Sequence, residues 1–233
     1  MKTRTFTSLP HQGRRNFLKS NFFLGLAALS PGLILSGSCT SGRKAEETED
    51  LTENELLEKY LECLGGPFPE APPLNPVLRE TIRKDGYRIE SVTYEGMPGE
   101  RIPAFILIPD GIDSSNPAPG IAVWHQHNGE YHLGKSEPAG LAGNPMHHTG
   151  VALVREGYVV LCPDSLCFEE RQDPTGILKG GNYERFEFLR EVVRGRCLAW
   201  KDVFDMKQSV SMLCDRPEVR KDYLGCYGHS MGS

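Results

Sequence analysis

The chain has no excess of basic charge, no paired CxxC cysteines, no internal repeat and no apolar run long enough to span a bilayer comfortably. Its formal net charge is −5, and the only charges before Cys39 are five cations, Lys2, Arg4, Arg14, Arg15 and Lys19. Without them the remainder carries about −10, so no basic face exists to neutralise phosphates, which argues against nucleic acid as a partner. Seven cysteines occur in 233 residues. If Cys39 is set aside, the even remainder invites a disulfide framework. Against it, Cys162 and Cys226 fall in stretches that read as buried strands, and a chain exported already folded cannot depend on bridges. The cysteines therefore read as small hydrophobes. Low complexity is confined to the first 50 residues. A hydrophobic fraction of 39% with 24% charged residues suits one soluble globular domain with a sizeable core.

What is present begins with an export signal, residues 1–38. Arg14-Arg15-Asn16-Phe17-Leu18-Lys19 matches the twin-arginine pattern, and the apolar run Phe22 to Leu35 follows it, broken by Pro31. Two processing readings stand. Ser36-x-Ser38 is a small-x-small cleavage site, and Cys39 after Gly37-Ser38 resembles a lipobox with Leu35 one place too far away. Lipidation of Cys39 by two or three acyl chains would anchor the protein stably at a membrane, with the mature part periplasmic or on the cell surface. Residues 39–50 form an acidic tether.

Residues 51–86 read as an N-terminal helix and a proline-rich crossover. Thr52 and Glu55 form a capping box, Leu56, Leu57, Tyr60 and Leu61 give the helical period, and Gly65-Gly66 stops it. From Tyr87 the period changes to two. Tyr87–Tyr94 alternates as a half-exposed strand, Gly96-Met97-Pro98-Gly99 turns it, and Ile102–Ile108 returns. This pair is expected at the outer edge of a sheet. Gly120–Trp124 and Tyr158–Cys162 read as buried strands. Between them, Asn144-Pro145 opens a helix burying Met146, Val151 and Val154. From Tyr183 to Cys214 an apolar stripe through Phe186, Leu189, Val193, Cys197 and Trp200 continues past Gly195 through Val203, Met206, Val210 and Leu213. Strand, loop, helix and parallel strand make an α/β class with both faces of the sheet covered.

The chemistry gathers at Gly228-x-Ser230-x-Gly232, directly after the apolar run Tyr223–Tyr227. A sharp strand-to-helix turn with glycines on either side would hold Ser230 in strained geometry and expose its Oγ. Alone the pattern is weak, arising by chance in roughly one chain in six of this composition. The strand before it and the elements upstream supply its weight.

These elements resemble the α/β-hydrolase fold, and more narrowly its dienelactone hydrolase and acetyl xylan esterase-like branch. The resemblance rests on Ile106-Leu107-Ile108-Pro109, Trp124-His125-Gln126-His127, Gly157–Asp164, the stretch 202–219 and the Ser230 motif, and it covers residues 87–233. It implies a mostly parallel sheet with an antiparallel edge hairpin, truncated after the fifth strand. It also implies carboxylic ester hydrolysis on sugar esters or small lactones, a small-molecule or carbohydrate substrate, and no cofactor. Ser230 would be the nucleophile. Met231 would give one oxyanion N–H, and His127, with Gln126 next, the other. In this fold the acid and the base follow the nucleophile in chain order, so the 233 residues are expected to be inactive alone. His125, Glu169, Glu170 and Arg171 stand as substrate-binding candidates near the pocket mouth. For the three after the fourth strand, the competing reading is a solvated or salt-bridged loop.

Two other readings stay open. One is a non-catalytic or unstable fragment, or an anchored lipoprotein. The other is a metal-dependent hydrolase using His125-x-His127, whose extended backbone puts both rings on one side, with Glu130, His132, His147 and His148 in reach by sequence.

Overall fold

The computed structural model describes residues 52–233. The signal, the twin-arginine motif, Cys39 and the acidic tether lie outside the described residues. Among those described, no helix is long and apolar enough to cross a membrane.

Helix α1 (Glu53–Leu64) opens on the expected capping box: Thr52 Oγ1 accepts from Glu55 N–H at 3.3 Å, and Thr52 N–H donates to Glu55 Oε2 at 2.8 Å. It buries none of its residues. Its ties to the domain sit at its C-terminal end, where Cys197 N–H donates to Leu64 O and Trp200 Nε1 to Gly66 O.

The sheet has six strands, β1 (Val77–Lys84), β2 (Tyr87–Glu95), β3 (Arg101–Pro109), β4 (Ala118–Trp124), β5 (Val159–Pro163) and β6 (Val219–Gly228), in the order β1-β2-β3-β5-β4-β6. β1, β2 and β3 form an antiparallel meander that joins β5 antiparallel, while β5, β4 and β6 run parallel, so four of the six strands point one way. This is the expected α/β architecture with one strand more. β1 precedes the hairpin, so the outer edge is β1 and the strand leading to Ser230 is the sixth. β1 escaped the period-two reading because both its faces are open to solvent and nothing forces alternation. Its one legible sign is Asp85-Gly86, a two-residue hairpin loop with Gly86 at φ 81°.

With β1 outside it, β2 is buried, not half-exposed. Its Glu90 is tolerated there because Arg88 and Arg216 reach it at 2.9 and 2.7 Å, and both arginines also hold Glu218.

The pleat divides the core in two. Ile102, Ala104, Ile106 and Ile108 of β3, with Ala122 and Trp124 of β4 and Leu161 of β5, face helix α4 (Leu198–Cys214) through Met212 and Leu213. Leu107, Val123, Val160 and Cys162 face the other way, onto helix α2 (Thr149–Arg155) through Val154. Successive side chains point to opposite faces, so continuous apolar runs are what a sheet covered on both sides demands.

Three expectations change here. Asn144 caps only a short 3₁₀ turn, Pro145–His147, before α2, and Met146 lies exposed on it. The long helix is two: α3 (Gly181–Val193) ends before Gly195, whose φ of 79° breaks the run, and α4 follows. On α3 the stripe Phe186, Leu189 and Val193 faces solvent, while Tyr183, Glu187 and Glu191 are buried. Arg190 partners Glu187, and Arg194 and Arg196 hold Glu191 at 2.8 Å, which makes an acidic inner face tenable. Finally, Cys226 is exposed, because β6 has a sheet neighbour on one side only among the described residues. The six cysteines described are unpaired; only Cys162 and Cys167 are buried.

Leu161 is wholly buried at the centre of the sheet. Leu161→Ala should cost about 2–5 kcal/mol of unfolding free energy, read from urea denaturation midpoints.

Candidate active site

β6 pairs with β4 up to Gly228 opposite Trp124, and the chain turns there. His229 is still extended, Ser230 has φ 55°, and Ser230–Gly232 form a single 3₁₀ turn closed by Gly232 N–H to His229 O and Ser233 N–H to Ser230 O. A positive φ in a residue with a Cβ is strained, costing on the order of 1–3 kcal/mol, and persists only where surrounding packing enforces it. The packing is backbone on backbone. A Cβ on Gly228 would stand 1.8 Å from Gly232 O, and one on Gly232 would stand 2.6 Å from Trp124 O. Neither backbone can yield, so both positions exclude a side chain. Ser230 itself is exposed.

The contact of Gly232 with Trp124 brings the turn against the start of the loop His125-Gln126-His127. Met231 packs with Tyr131 and Leu178 onto Cys167, Phe168 and Tyr183, and the His127 ring lies edge-on to the same Phe168 at 5.1 Å. Among the described residues, the N–H groups of Gln126, His127 and Met231 donate to no protein acceptor. Gln126 is held by its side chain, which donates to Glu137 at 3.1 Å.

The two loop histidines differ in state. His125 is buried, and its Nε2 accepts from Ser165 N–H at 3.1 Å, so its proton sits on Nδ1 and is donated to Gln126 O at 2.8 Å. Burial lowers its pKa, keeping the ring neutral. With both nitrogens used inside the fold, His125 ties β4 to the loop after β5 and has no atom left for a substrate. His127 accepts from Gly129 N–H at Nδ1 (3.0 Å), so Nε2 carries its proton and donates to Glu184 Oε1 at 2.9 Å. Glu184 Oε2 accepts from the Tyr131 hydroxyl at 2.7 Å. Burial, then this carboxylate, pushes the Tyr131 phenol up to about 12, so it remains a donor. Both rings of His125-x-His127 meet Phe168, and their nitrogens bond protein partners.

The cluster after β5 takes the salt-bridged form. Lys135, almost wholly buried, places its ammonium 2.8 Å from Asp164, 2.5 Å from Glu169 and 2.8 Å from Glu170, and Arg79 also pairs with Glu170. Burial works against the charge on Lys135, but the carboxylates outweigh it and hold its pKa above that of an ordinary lysine. Asp164, Glu169 and Glu170 form the one carboxylate group close enough to grip a cation among the described residues, and Lys135 stands inside it. Arg171 is buried and turned inward, pairing with Asp205 at 2.8 Å and donating to Asp164 O at 3.1 Å. Glu169 and Arg171 are thus occupied by structural partners, and only Glu170 keeps appreciable exposure. A small cleft beside the turn is lined by Gln126, Glu137, His147, Tyr227 and His229, with the His147 and His229 rings 5.2 Å apart.

Sequence reasoning missed Lys135, Tyr131, Glu137 and Glu184. Lys135 and Glu137 sat in a polar loop without period. Glu184 sat on a helix whose apolar stripe pointed to the wrong face.

No family model matches the chain. The Bacillus subtilis (strain 168) protein YtaP, provisionally named a hydrolase, is 25% identical over 169 residues, covering 70% of this chain and 52% of its own length. Among solved structures, a Bacteroides fragilis protein provisionally named an acetyl xylan esterase superposes with a TM-score of 0.63 at 22% identity, over 76% of this chain and 46% of that one. The acetyl xylan esterase from Paenibacillus sp. R4 gives 0.51 at 17% identity, over 74% and 50%. The chain thus spans about half the length of the relatives it matches. Its described residues have the α/β-hydrolase fold.

Gly228→Ala should abolish the native turn, seen as a lowered melting temperature and altered amide signals for residues 228–233. Lys135→Met leaves Asp164 and Glu169 without a cation and Glu170 with Arg79 alone, and should destabilise the protein at pH 7 by about 3–5 kcal/mol. Unpaired carboxylates in the folded state have raised pKa values, so folding then favours proton uptake. The penalty should shrink as pH falls through the carboxylate range, measured by denaturation at pH 7 and pH 4.5.

Proposed function

We propose that this chain carries the nucleophile and oxyanion site of a serine carboxylic ester hydrolase acting on carbohydrate or other small acyl esters. The observation that supports this best is Ser230 itself: exposed, at φ 55°, just past the end of a parallel strand, on a turn that two side-chain-free positions make possible. Such strain at an exposed hydroxyl has no packing purpose.

In this reading Ser230 Oγ attacks the ester carbonyl carbon as a base takes its proton. The carbonyl oxygen becomes an oxyanion that accepts from Met231 N–H and from His127 N–H, with Gln126 N–H the neighbouring donor. Collapse expels the alcohol, which takes a proton from the base, and leaves an acyl-Ser230 that water then hydrolyses. Each oxyanion donor is worth about 3–4 kcal/mol in the transition state. No histidine follows Ser230 in the sequence, and this fold places acid and base after the nucleophile. The base and its acid are therefore assigned to the length that the relatives have and these 233 residues do not span. The substrate class follows the acetyl xylan esterases to which the fold is similar. The twin-arginine motif and Cys39 support an exported, lipid-anchored enzyme, for which the intact mass of membrane-extracted protein is the check.

The test is hydrolysis of p-nitrophenyl acetate by the chain expressed from its full reading frame. Turnover should fall at least about 10³-fold in Ser230→Ala, with the fold retained by circular dichroism. Unchanged turnover in Ser230→Ala, or none in the wild type, removes the esterase reading.

A further inference from the structure

The carboxylate of Glu184 is spent entirely on two groups of one loop. Oε1 accepts from His127 Nε2 at 2.9 Å and Oε2 from the Tyr131 hydroxyl at 2.7 Å. Tyr131 stacks on Phe168 at 5.0 Å and 24°, and His127 meets the same ring edge-on. Between the two anchored residues the backbone takes a tight reversal, with Asn128 at φ 44° and Gly129 at φ 70°, and Glu130 N–H returns to His127 O at 3.2 Å. His127 is therefore held at its ring Nδ1 by Gly129, at Nε2 by Glu184, at its carbonyl by Glu130, and through T-shaped contacts by Phe168 and Tyr131. Among the described residues, its own N–H finds no acceptor.

A loop that carries a donor for a transient anion needs that donor aimed before the charge appears, because reorientation during reaction forfeits the stabilisation. Loop residues with positive φ drift unless something outside the loop restrains them. Here the restraint comes from α3, more than 50 residues along the chain. Both Glu184 and His127 keep some solvent exposure, so the pair contributes little to stability and its value lies in direction.

We infer that Glu184 is a positioning residue: by accepting from His127 Nε2–H, the tautomer that Gly129 N–H selects, and from the Tyr131 hydroxyl, it holds both in place and so aims the His127 N–H at the oxyanion of the hydrolysis proposed above. The inference rests on that reading and adds to it the residue that controls the second donor.

The experiment compares wild type, Glu184→Gln, Glu184→Asp, Tyr131→Phe and the Ser230→Ala blank in the full chain. It measures kcat and KM on p-nitrophenyl acetate separately, with imidazole ¹⁵N shifts recorded on each. Glutamine keeps the size of glutamate but turns one acceptor into a donor, which His127 Nε2–H cannot accept and which the Tyr131 hydroxyl meets only by reversing its own bond. It should lower kcat by about 10- to 100-fold with KM within about threefold, the scale of a misplaced catalytic contact. Tyr131→Phe should lower kcat less, and Glu184→Asp should recover part of the loss. The His127 shifts should show the Nε2-protonated tautomer in both, because Gly129 N–H still occupies Nδ1, with the Nε2 resonance moved in Glu184→Gln by the loss of the carboxylate acceptor. Wild-type kcat in Glu184→Gln overturns the inference while Ser230-dependent turnover leaves the esterase reading intact. An Nε2 shift in Glu184→Gln identical to that of the wild type overturns it too. Absence of Ser230-dependent turnover in the wild type removes both, and the Ser230→Ala blank identifies that case.

Discussion

Backbone meets backbone at the carboxyl ends of β4 and β6, with no side chain between. Gly228 lies under the Gly232 carbonyl, and Gly232 lies on the Trp124 carbonyl. That contact decides how closely the turn after β6 approaches the end of β4. Because His125-Gln126-His127 begins one residue past Trp124, it also decides which loop shares the site with Ser230. The apolar faces of β3, β4 and β5 hold the two strand ends level, so the contact is imposed by the whole sheet and relaxes only if the core does. Strain at Ser230 is stored where the surrounding backbone cannot move to release it.

Around this contact the protein arranges buried charge in closed groups. Lys135 gathers Asp164, Glu169 and Glu170; Arg171 and Lys201 share Asp205 and reach Glu100; Arg88 and Arg216 share Glu90 and Glu218. Removing both partners of such a group can be neutral, but removing one strands the other, so each group constrains position more than it adds net stability. Two of the three pin the loop after β5 to the body of the domain. That loop supplies Phe168, on which both His127 and Met231 depend for their placement.

The residues that aim the site are consequently ones with no chemical role of their own. His125 is neutral, buried and fully bonded, and Glu184 is divided between two donors. Both stand near the proposed reacting groups, yet each acts by restricting what its neighbours can do. Only the protons reveal the difference: the backbone donors Ser165 and Gly129 fix opposite tautomers on two histidines two positions apart.

Period and punctuation in the sequence determined the element types: the capping box of α1, the hairpin of β2 and β3, the buried runs of β4 and β5, and the turn that exposes Ser230. Each of these depends on neighbours within a few positions, where sterics and pleat leave little choice. The tertiary structure alone decided which face of α3 is inward, that β1 flanks β2, that Glu169 and Arg171 serve the fold, and that Glu184 reaches the loop after β4. Those outcomes depend on partners far along the chain, 57 positions for Glu184 and His127 and 29 for Lys135 and Asp164, and a charge declares its partner only once folding has removed the water between them.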